Sequence, residues 1–269
     1  MTDIKIKDDF DPEKIVISGQ CFRTKSLSDA RCMFITGSNI LYIRKLSDCD
    51  FEISCDKKTW ENVWAPYFDM DRNYSDIAKK AKGRHPFASR AIEAGCGLRI
   101  LRQDPWEMLI SFIISQRKNI PAISKSVEAI CDKFGENISG TDIKSFPTPK
   151  ALLKATASDL KECSLGYRVP YVQDAVLAVN SGAVDLNKIS SMEDEALLHT
   201  LMSIKGVGIK VANCIALFAY GRMNCVPVDV WIKRVIDDKC GGQSPFPLFE
   251  GYAGIIQQYI FYYERLLHV

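Results

Sequence analysis

No apolar run in the 269-residue chain approaches the roughly 20 residues that a transmembrane helix needs. The opening stretch, MTDIKIKDDFDPEK, is polar and acidic, which is unlike a secretory signal peptide. With 47% apolar residues, the chain is long enough to bury one large core or two to three smaller ones. We therefore expect a globular protein with no membrane association, acting in the cytoplasm, at the nucleoid of a bacterium, or in the nucleus of a eukaryote.

Paired cysteines are also missing. The ten cysteines are scattered from Cys21 to Cys240, and no CxxC spacing occurs. Zinc ribbons and four-cysteine iron-sulfur clusters use such pairs. We expect reduced, mostly buried thiols, no metal centre and no cofactor.

An excess of positive charge is the third missing feature, since the net charge is only +2. Nucleic-acid binding requires a localised basic surface rather than a large total. Cations do cluster at Arg117 and Lys118 and again between residues 205 and 234. A solvated helix face explains such clusters as readily as a DNA-binding surface does, so charge alone leaves the question open.

The chain changes character near residue 58. Before it, β-branched and aromatic runs separated by turn residues predict an antiparallel sheet, with Gly37-Ser38-Asn39 turning one hairpin. The predicted strands cover 15–22, 31–37, 39–46 and 50–55. After residue 58 the apolar residues follow helical periodicity almost to the C-terminus. The fold class predicted is α+β.

Helices are predicted near residues 105–117, 121–134, 149–155, 158–163, 168–180, 192–203, 209–220, 229–239 and 251–267. Thr148 with Pro149 marks one helix start, and Ser191 with Asp194 has the spacing of a capping box.

We predict three domains. These are an N-terminal antiparallel sheet domain with flanking helices (1–100), a helical domain (101–190), and a helix-hairpin-helix domain with a C-terminal helix that lines a pocket (191–269).

Residues 197–236 carry the most informative pattern. In IKGVGIK, Gly206 and Gly208 can adopt conformations closed to other residues. The amides that follow begin a helix, where unpaired N–H groups and the helix dipole favour an anion such as DNA phosphate. A bare GxG indicates only a turn between helices. The full pattern of an apolar residue, lysine, GVG and an apolar helix is typical of a helix-hairpin-helix motif.

GVGIKVANC (206–214) followed by VPVDVWIKR (226–234) resembles the helix-hairpin-helix DNA glycosylase superfamily. Four further segments are similar, in the same order, to the 8-oxoguanine DNA glycosylases: SGQCFR (18–23), LRQDPWEMLISFIISQRKNI (101–120), SLGYRVPYV (164–172) and GYAGIIQQYIF (251–261). The resemblance implies a bifunctional glycosylase and AP lyase. Such an enzyme flips 8-oxoguanine out of duplex DNA, removes it and nicks the strand by β-elimination. It also implies a monomer and allows a structural cation at the hairpin.

Two residues fit the chemistry that this resemblance implies. Lys210 lies in the first turn after the hairpin, where the helix dipole and burial both favour the free amine needed to attack C1′ and form a Schiff base. Asp229 opens the next helix, where backbone N–H groups favour its ionised form. A carboxylate fixed there can stabilise an oxocarbenium-like transition state. The alternatives are a phosphate-binding or surface lysine and a simple N-cap.

Recognition of the extruded base is assigned by similarity to the family. Gln257 hydrogen-bonds the Watson–Crick edge, Phe261 and Cys214 cover the two faces of the purine, and the Gly19 carbonyl accepts the N7 hydrogen that guanine lacks. Pro227 also belongs to this group. Without the resemblance, Cys214 and Phe261 indicate core positions, and Gly19 indicates a turn.

The remaining predicted DNA contacts are Asn119, Tyr167, Arg168, Gly206, Gly208, Val211 and Trp231. Tyr167 and Arg168 match family residues that wedge the duplex and contact the orphaned cytosine.

Two departures from the animal pattern matter. Arg117 and Lys118 replace asparagines, and Ala122 stands where the animal enzymes carry a second arginine, so we expect a weaker preference for cytosine opposite the lesion. Trp231 stands where they have a phosphate-binding histidine; its indole N–H can donate one hydrogen bond, or the ring can serve packing alone.

Two other functions remain open. A monofunctional alkylbase glycosylase on the same scaffold uses aspartate and water, and so has no need of Lys210. A non-catalytic helix-hairpin-helix DNA-binding module needs neither Lys210 nor Asp229. The joint presence of these two residues with Gln257 and Phe261 disfavours such a module.

Overall fold

The computed structural model describes residues 1–268. Its five strands form one antiparallel sheet in the order β1-β5-β4-β3-β2, in which Thr2 pairs with Ile53 and Thr24 with Phe34. The strands are β1 Thr2–Lys5, β2 Thr24–Ser26, β3 Cys32–Thr36, β4 Asn39–Lys45 and β5 Asp50–Ile53. Gly37, at φ +54°, turns the predicted hairpin between β3 and β4. The predicted α+β class is confirmed.

The α-helices are α1 Pro12–Ile17, α2 Lys57–Thr59, α3 Ala65–Tyr67, α4 Tyr74–Ala81, α5 Pro86–Gly95, α6 Pro105–Ser115, α7 Ile120–Phe134, α8 Pro149–Leu152, α9 Ala157–Glu162, α10 Val169–Asn180, α11 Asp194–Met202, α12 Ile209–Phe218, α13 Val230–Lys239 and α14 Ala253–Leu266. A π-helical segment spans Trp60–Trp64, and short 3-10 turns span Gly166–Arg168, Lys188–Ser191 and Phe246–Phe249. The predicted helices are therefore confirmed to within a few residues. None of the helices in residues 1–268 has the length and apolarity to cross a membrane.

Two of the secondary-structure assignments made from the sequence were wrong, and two short strands, β1 and β2, were missed. Residues 15–22 were predicted as a strand, but Asp11 accepts a hydrogen bond from the Lys14 amide and Pro12 occupies the first turn, so α1 forms there instead. β1 was not predicted, although its alternating DIKIK pattern indicates a strand. Ser191 does not cap α11, because it ends a 3-10 turn and Glu193 occupies the N-cap position.

The chain divides into two compact units. The first comprises residues 1–34, 41–102 and 221–269, and the second comprises residues 35–40 and 103–220. The C-terminal segment thus belongs to the same unit as most of the N-terminal one. The division at residues 100 and 190 stays a prediction.

In the first unit, α14 packs along α5 and α13. The glycine at position 95 of α5 allows Tyr259 of α14 to approach the helix closely, because a side chain there would clash with the Tyr259 ring. Aromatic rings fill the core beneath the sheet: Phe10, Phe51, Trp60, Trp64 and Phe68. The packing of α14 on α5 and α13 positions the two predicted site residues that α14 carries, Gln257 and Phe261.

In the second unit, α6 is buried from Trp106 to Ile114 and packs against α7, α10 and α12. Thr148 caps α8 with Pro149 in its first turn, as predicted. Six of the ten cysteines are buried, which agrees with the prediction that most of them are, and none of the ten forms a disulfide. Their reduced state stays a prediction.

Candidate DNA-binding and catalytic residues

The hairpin between α11 and α12 depends on one glycine more than on the other. Gly206 has φ +86°, and a side chain there would clash with the ring of Tyr171. Gly208 has an ordinary φ of −91°, so of the two glycines Gly206 is the one that uses a backbone conformation closed to other residues. The space beside the Gly208 α-carbon is open, which leaves room for a ligand to approach the backbone.

The first turn of α12 presents unpaired amides. Gly208 is the N-cap and supplies no side-chain acceptor; the first bond along the helix joins the Ala212 amide to the Gly208 carbonyl at 2.9 Å. The three preceding N–H groups are therefore free of intrahelical partners and suit an anion. Val211 as a whole is only 4% exposed, so its side chain offers little surface to DNA, and its contact with DNA stays a prediction.

Lys210 is half-buried at the second position of α12. Its Nζ lies 5.5 Å from the centroid of the Phe112 ring, which stacks on Phe218 at 5.7 Å. No carboxylate of the described second unit forms a salt bridge with it. Cys214 follows one turn later and is buried at 3% exposure. An aromatic surface thus positions the amine without a charged partner.

Tyr167 and Arg168 both bond the carbonyl oxygen of Gln116. The Tyr167 hydroxyl donates to it over 3.3 Å and the Arg168 Nε over 2.9 Å, and the Arg168 Nη2 also donates to it. The Tyr167 ring is half exposed, whereas Arg168 is buried and its guanidinium lies 4.3 Å from the Tyr167 ring centroid. Arg168 therefore faces the protein, and its contact with DNA stays a prediction.

Gln116 is a residue that the sequence analysis did not select. Its Nε2 donates to the Gly206 carbonyl at 3.0 Å and to the Ile113 carbonyl at 3.2 Å. One residue thus joins the hairpin to the side chains of Tyr167 and Arg168. No sequence signal marks a glutamine that acts through its own carbonyl. Nearby, Asn119 caps α7 by accepting from the Ala122 amide at 2.9 Å.

Asp229, in the first unit, is the N-cap of α13 as predicted. Its Oδ1 accepts from the amides of Trp231 at 3.0 Å and Ile232 at 2.9 Å. Oδ2 accepts no hydrogen bond from the described residues of this unit, so half of the carboxylate remains available to a positive charge. The preceding Pro227 is buried.

Trp231 is half-buried in the same unit. Its ring centroid lies 5.5 Å from that of His268, and the Arg234 guanidinium lies 5.2 Å away. These contacts support the packing interpretation of Trp231. Its phosphate contact stays a prediction.

α14 carries a buried polar atom that has no partner. Gln257 is 4% exposed, and its Oε1 accepts no hydrogen bond among residues 1–268. Buried carbonyl oxygens are usually paired, so this oxygen is available to accept a hydrogen bond from a bound group. Phe261, one turn later, is half-buried, and the Arg265 guanidinium lies 5.7 Å from its ring centroid.

Gly19 lies in a segment that is hydrogen-bonded to α14. The Gln258 Nε2 donates to the neighbouring Ser18 carbonyl at 3.0 Å, and Arg265 Nη1 donates to the Ile17 carbonyl at 2.8 Å. Gly19 itself has φ +80° and is half-buried, and its carbonyl accepts no bond from any described residue. The first unit therefore holds Gly19, Asp229, Gln257 and Phe261, and the second holds Lys210 and Cys214.

A cavity of about 300 Å³ lies elsewhere in the second unit. It is lined by Asp104, Trp106, Pro149, Asp185 and other residues, and it includes none of the predicted site residues. Within residues 1–268 no three His, Cys, Asp or Glu side chains are grouped closely enough to hold a metal ion.

Two family models match consecutive parts of the chain. Residues 3–109 match the N-terminal domain of 8-oxoguanine DNA glycosylase, and residues 110–242 match the HhH-GPD superfamily of base excision DNA repair proteins.

The Saccharomyces cerevisiae N-glycosylase/DNA lyase is 32% identical over 193 residues, which cover 66% of this chain and 46% of that protein. The probable N-glycosylase/DNA lyase of Methanothermobacter thermautotrophicus is 29% identical, with 66% and 62% covered. The aligned region thus spans about half to three fifths of these curated relatives.

A solved structure matches over the whole length. The Clostridium acetobutylicum 8-oxoguanine glycosylase/lyase, in complex with double-stranded DNA containing cytosine opposite 8-oxoguanine, has a TM-score of 0.90 at 32% identity. The match covers 100% of this chain and 99% of that one. The chain therefore belongs to the 8-oxoguanine DNA glycosylase family of the helix-hairpin-helix base excision repair superfamily.

Proposed function

We propose that this protein is a bifunctional DNA glycosylase and AP lyase that excises 8-oxoguanine from duplex DNA. The observation that carries the proposal is Lys210, a lysine placed on an aromatic surface in the first turn after the hairpin, without a carboxylate partner in its unit. A water-using glycosylase has no role for an amine at this position. Covalent lyase chemistry requires one.

The chemistry follows from the groups present. The Lys210 amine attacks C1′, the bond from C1′ to the base breaks, and the base leaves with a proton. Opening of the sugar ring gives a protonated Schiff base. Loss of a proton from C2′ then breaks the C3′–O bond and nicks the strand. The Asp229 carboxylate stabilises the positive charge that develops on the sugar, with Oδ1 fixed by two amides.

The first unit supplies groups suited to the extruded base. The unpaired Oε1 of Gln257 can accept from a guanine N–H, Phe261 offers a ring for stacking, and the free Gly19 carbonyl can accept the N7 hydrogen of 8-oxoguanine. An N7 lone pair facing that carbonyl leaves it unsatisfied, at a cost of about 1–3 kcal/mol. Pro227 of the first unit and Cys214 of the second unit, both buried, are the apolar residues that we propose for the base.

The second unit supplies groups suited to the DNA backbone and duplex. The amides around Gly208 and Val211 suit a phosphate, Tyr167 is an exposed aromatic that can wedge between bases, and Asn119 keeps its amide nitrogen free of its capping role. We also propose that one copy of the chain binds each duplex, that a structural cation sits at the hairpin, and that the protein acts in the compartment that holds the DNA.

Borohydride trapping on a duplex with 8-oxoguanine opposite cytosine tests this function. We expect a covalent adduct with the natural protein and with Lys161→Gln, which neutralises an exposed lysine of α9, and no adduct with Lys210→Gln. Base release without an adduct from the natural protein would indicate the water-using alkylbase chemistry. Duplex binding without base release or adduct would indicate a non-catalytic module or another lesion.

A further inference from the structure

We propose that Gln258 is a positioning residue that sets the selectivity of the base pocket for a purine carrying a hydrogen on N7. The proposal rests on the function proposed above, in which the Gly19 carbonyl accepts that hydrogen. It starts from residues 17–20, the segment that follows α1, and from the hydrogen bonds that join this segment to α14.

The direction of the Gly19 carbonyl is not fixed by its own backbone. Gly19 has φ +80° and no side chain, and glycine populates several backbone conformations with similar ease. A hydrogen bond weakens steeply as its angle departs from linearity. A carbonyl that has to meet one hydrogen of a bound base must therefore be oriented by the residues around it.

α14 supplies donors to the two carbonyls that precede Gly19 in the chain. Arg265 Nη1 donates to the Ile17 carbonyl over 2.8 Å, and Gln258 Nε2 donates to the Ser18 carbonyl over 3.0 Å. The Gly19 carbonyl comes next and accepts no hydrogen bond from residues 1–268. Two successive carbonyls are thus bonded to the helix, and the third is left open to a ligand.

The residues on either side of Gly19 are anchored inside the first unit. Gln20 is fully buried, and its Nε2 donates to Ser18 Oγ over 3.1 Å and to the Arg99 carbonyl over 2.9 Å. The Gln20 Oε1 accepts from the Leu101 amide over 2.9 Å. Ser18 is fully buried as well, whereas Gly19 is half-buried. Gly19 therefore lies between two buried, hydrogen-bonded residues.

Gln258 occupies a position where an apolar side chain would be enough for packing. It is 3% exposed, in a stretch of α14 that is buried from Ala253 to Ile260. A buried amide destabilises a fold unless it is hydrogen-bonded. The bond that Gln258 makes reaches Ser18, 240 positions away in the chain and directly before Gly19. The Gln258 amide is therefore suited to fixing this segment rather than to filling space.

A loosened Gly19 carbonyl narrows the discrimination between purines in two ways. An N7–H group donates to it less well, and an N7 lone pair is repelled by it less strongly. The contacts proposed for Gln257 and Phe261 involve the Watson–Crick edge and the ring face, which such purines share. The ratio of their affinities therefore reports on the Gly19 carbonyl.

The test measures Kd by fluorescence anisotropy for duplexes that carry 8-oxoguanine, 8-bromoguanine or a tetrahydrofuran abasic analogue opposite cytosine. 8-Bromoguanine also has a substituent at C8, but its N7 carries a lone pair. All proteins carry Lys210→Gln so that the DNA stays intact. We expect the parent protein to bind the 8-oxoguanine duplex at least about tenfold more tightly than the 8-bromoguanine duplex, the effect of one hydrogen bond.

Gln258→Met keeps the length of the side chain and removes its donor. It should bring the two Kd values to within about threefold of each other and leave the Kd of the abasic duplex unchanged. The control is Tyr259→Phe, which removes the bond from the next residue of α14 to a different backbone carbonyl, that of Leu98, at 3.4 Å. Tyr259→Phe should keep the ratio of the parent protein.

Arg265→Met is a second variant, less demanding on folding because Arg265 is only half-buried. It breaks the bond to the Ile17 carbonyl and removes the guanidinium that lies 5.7 Å from the Phe261 ring centroid. Because stacking on Phe261 is available to both purines, the ratio of the two Kd values still isolates the N7 contact. Arg265→Met should also narrow this ratio, and if Gln258→Met does not fold, an unchanged ratio in Arg265→Met contradicts the proposal.

Three results would overturn the inference: equal Kd values for 8-oxoguanine and 8-bromoguanine with the parent protein, a parent-like ratio in Gln258→Met, or a loss in Gln258→Met that is equal for all three duplexes, which indicates a purely structural role. Excision of 8-oxoguanine by the natural protein is measured separately. If excision occurs while Gln258→Met keeps the ratio, only the role of Gln258 fails; if no excision occurs, the proposed function itself fails.

Discussion

Replacing Asp229 by asparagine separates its two roles, because the side chain is both the N-cap of α13 and the proposed stabiliser of the sugar cation. Oδ1 accepts from the Trp231 and Ile232 amides at 3.0 and 2.9 Å, and an asparagine carbonyl can accept both bonds in the same place. Asparagine caps helices about as well as aspartate does, whereas loss of the cap in alanine costs about 1 kcal/mol. For a protein of this size, that cost corresponds to a melting temperature lower by roughly 2–4 °C.

The rate of 8-oxoguanine release should respond differently from the melting temperature to these substitutions. Removing a fixed group that stabilises a transition-state charge typically costs on the order of 100-fold to 1000-fold in rate. We therefore expect Asp229→Asn to melt like the natural protein and to release 8-oxoguanine at least about 100-fold more slowly in single-turnover assays with enzyme in excess. Asp229→Ala should lose both stability and rate.

The control is Asp56→Asn, the same change at another N-cap aspartate of the first unit, where Oδ1 accepts from the Thr59 amide at 2.7 Å. Asp56→Asn should change neither the melting temperature nor the rate of 8-oxoguanine release. An Asp229→Asn protein that releases the base within about threefold of the natural rate would refute the electrostatic role. Asp229 would then be only a helix cap.

Four further predictions address the pocket, the hairpin, the orphaned base and pH. Gln257→Leu removes the unpaired buried Oε1, whose burial costs about 1–3 kcal/mol, so the melting temperature should be maintained or rise while 8-oxoguanine release slows; loss of both would indicate that Gln257 is a core residue. Gly206→Ala should clash with Tyr171 and weaken binding to every duplex, whereas Gly140→Ala, at φ +77° with open space around it, controls for backbone strain alone; equal Kd values for the two variants would contradict the hairpin role. Excision rates opposite cytosine should exceed those opposite the other bases by only about tenfold, and a preference above about 100-fold would exclude the weakened readout. Burial, with a smaller contribution from nearby carboxylates, raises the pKa of the Cys32 thiol from 9.0 to about 12. The stability it contributes is therefore present below pH 9 and lost as the pH approaches 12. Cys32→Ala should flatten the fall of the unfolding free energy between pH 9 and 12 in denaturant titrations, and an unchanged slope would contradict this linkage.

The sequence by itself determined the features that depend on neighbours along the chain. Helix starts such as Thr148-Pro149 and Asp229 follow from which side chains can bond an amide two or three residues ahead. Gly206 follows from the few residues that tolerate a left-handed backbone, and the placement of Lys210 one turn before Cys214 follows from helix periodicity. Short-range spacing also explains the one strand that was misassigned, since the Asp11-Pro12 cap was present in the sequence and outweighs the apolar run that follows it.

Only the tertiary structure decided features that join residues far apart in the chain. Gly206 needs to be glycine partly because Tyr171 packs against it, and Gln116 matters because its carbonyl meets Tyr167 and Arg168, about fifty residues away. The unpaired Oε1 of Gln257 and the inward orientation of Arg168 were likewise not readable from their own segments. The physical reason is that hydrogen-bond satisfaction and burial are properties of the folded packing. A residue's type fixes what it can donate or accept, and its surroundings fix whether a partner is present.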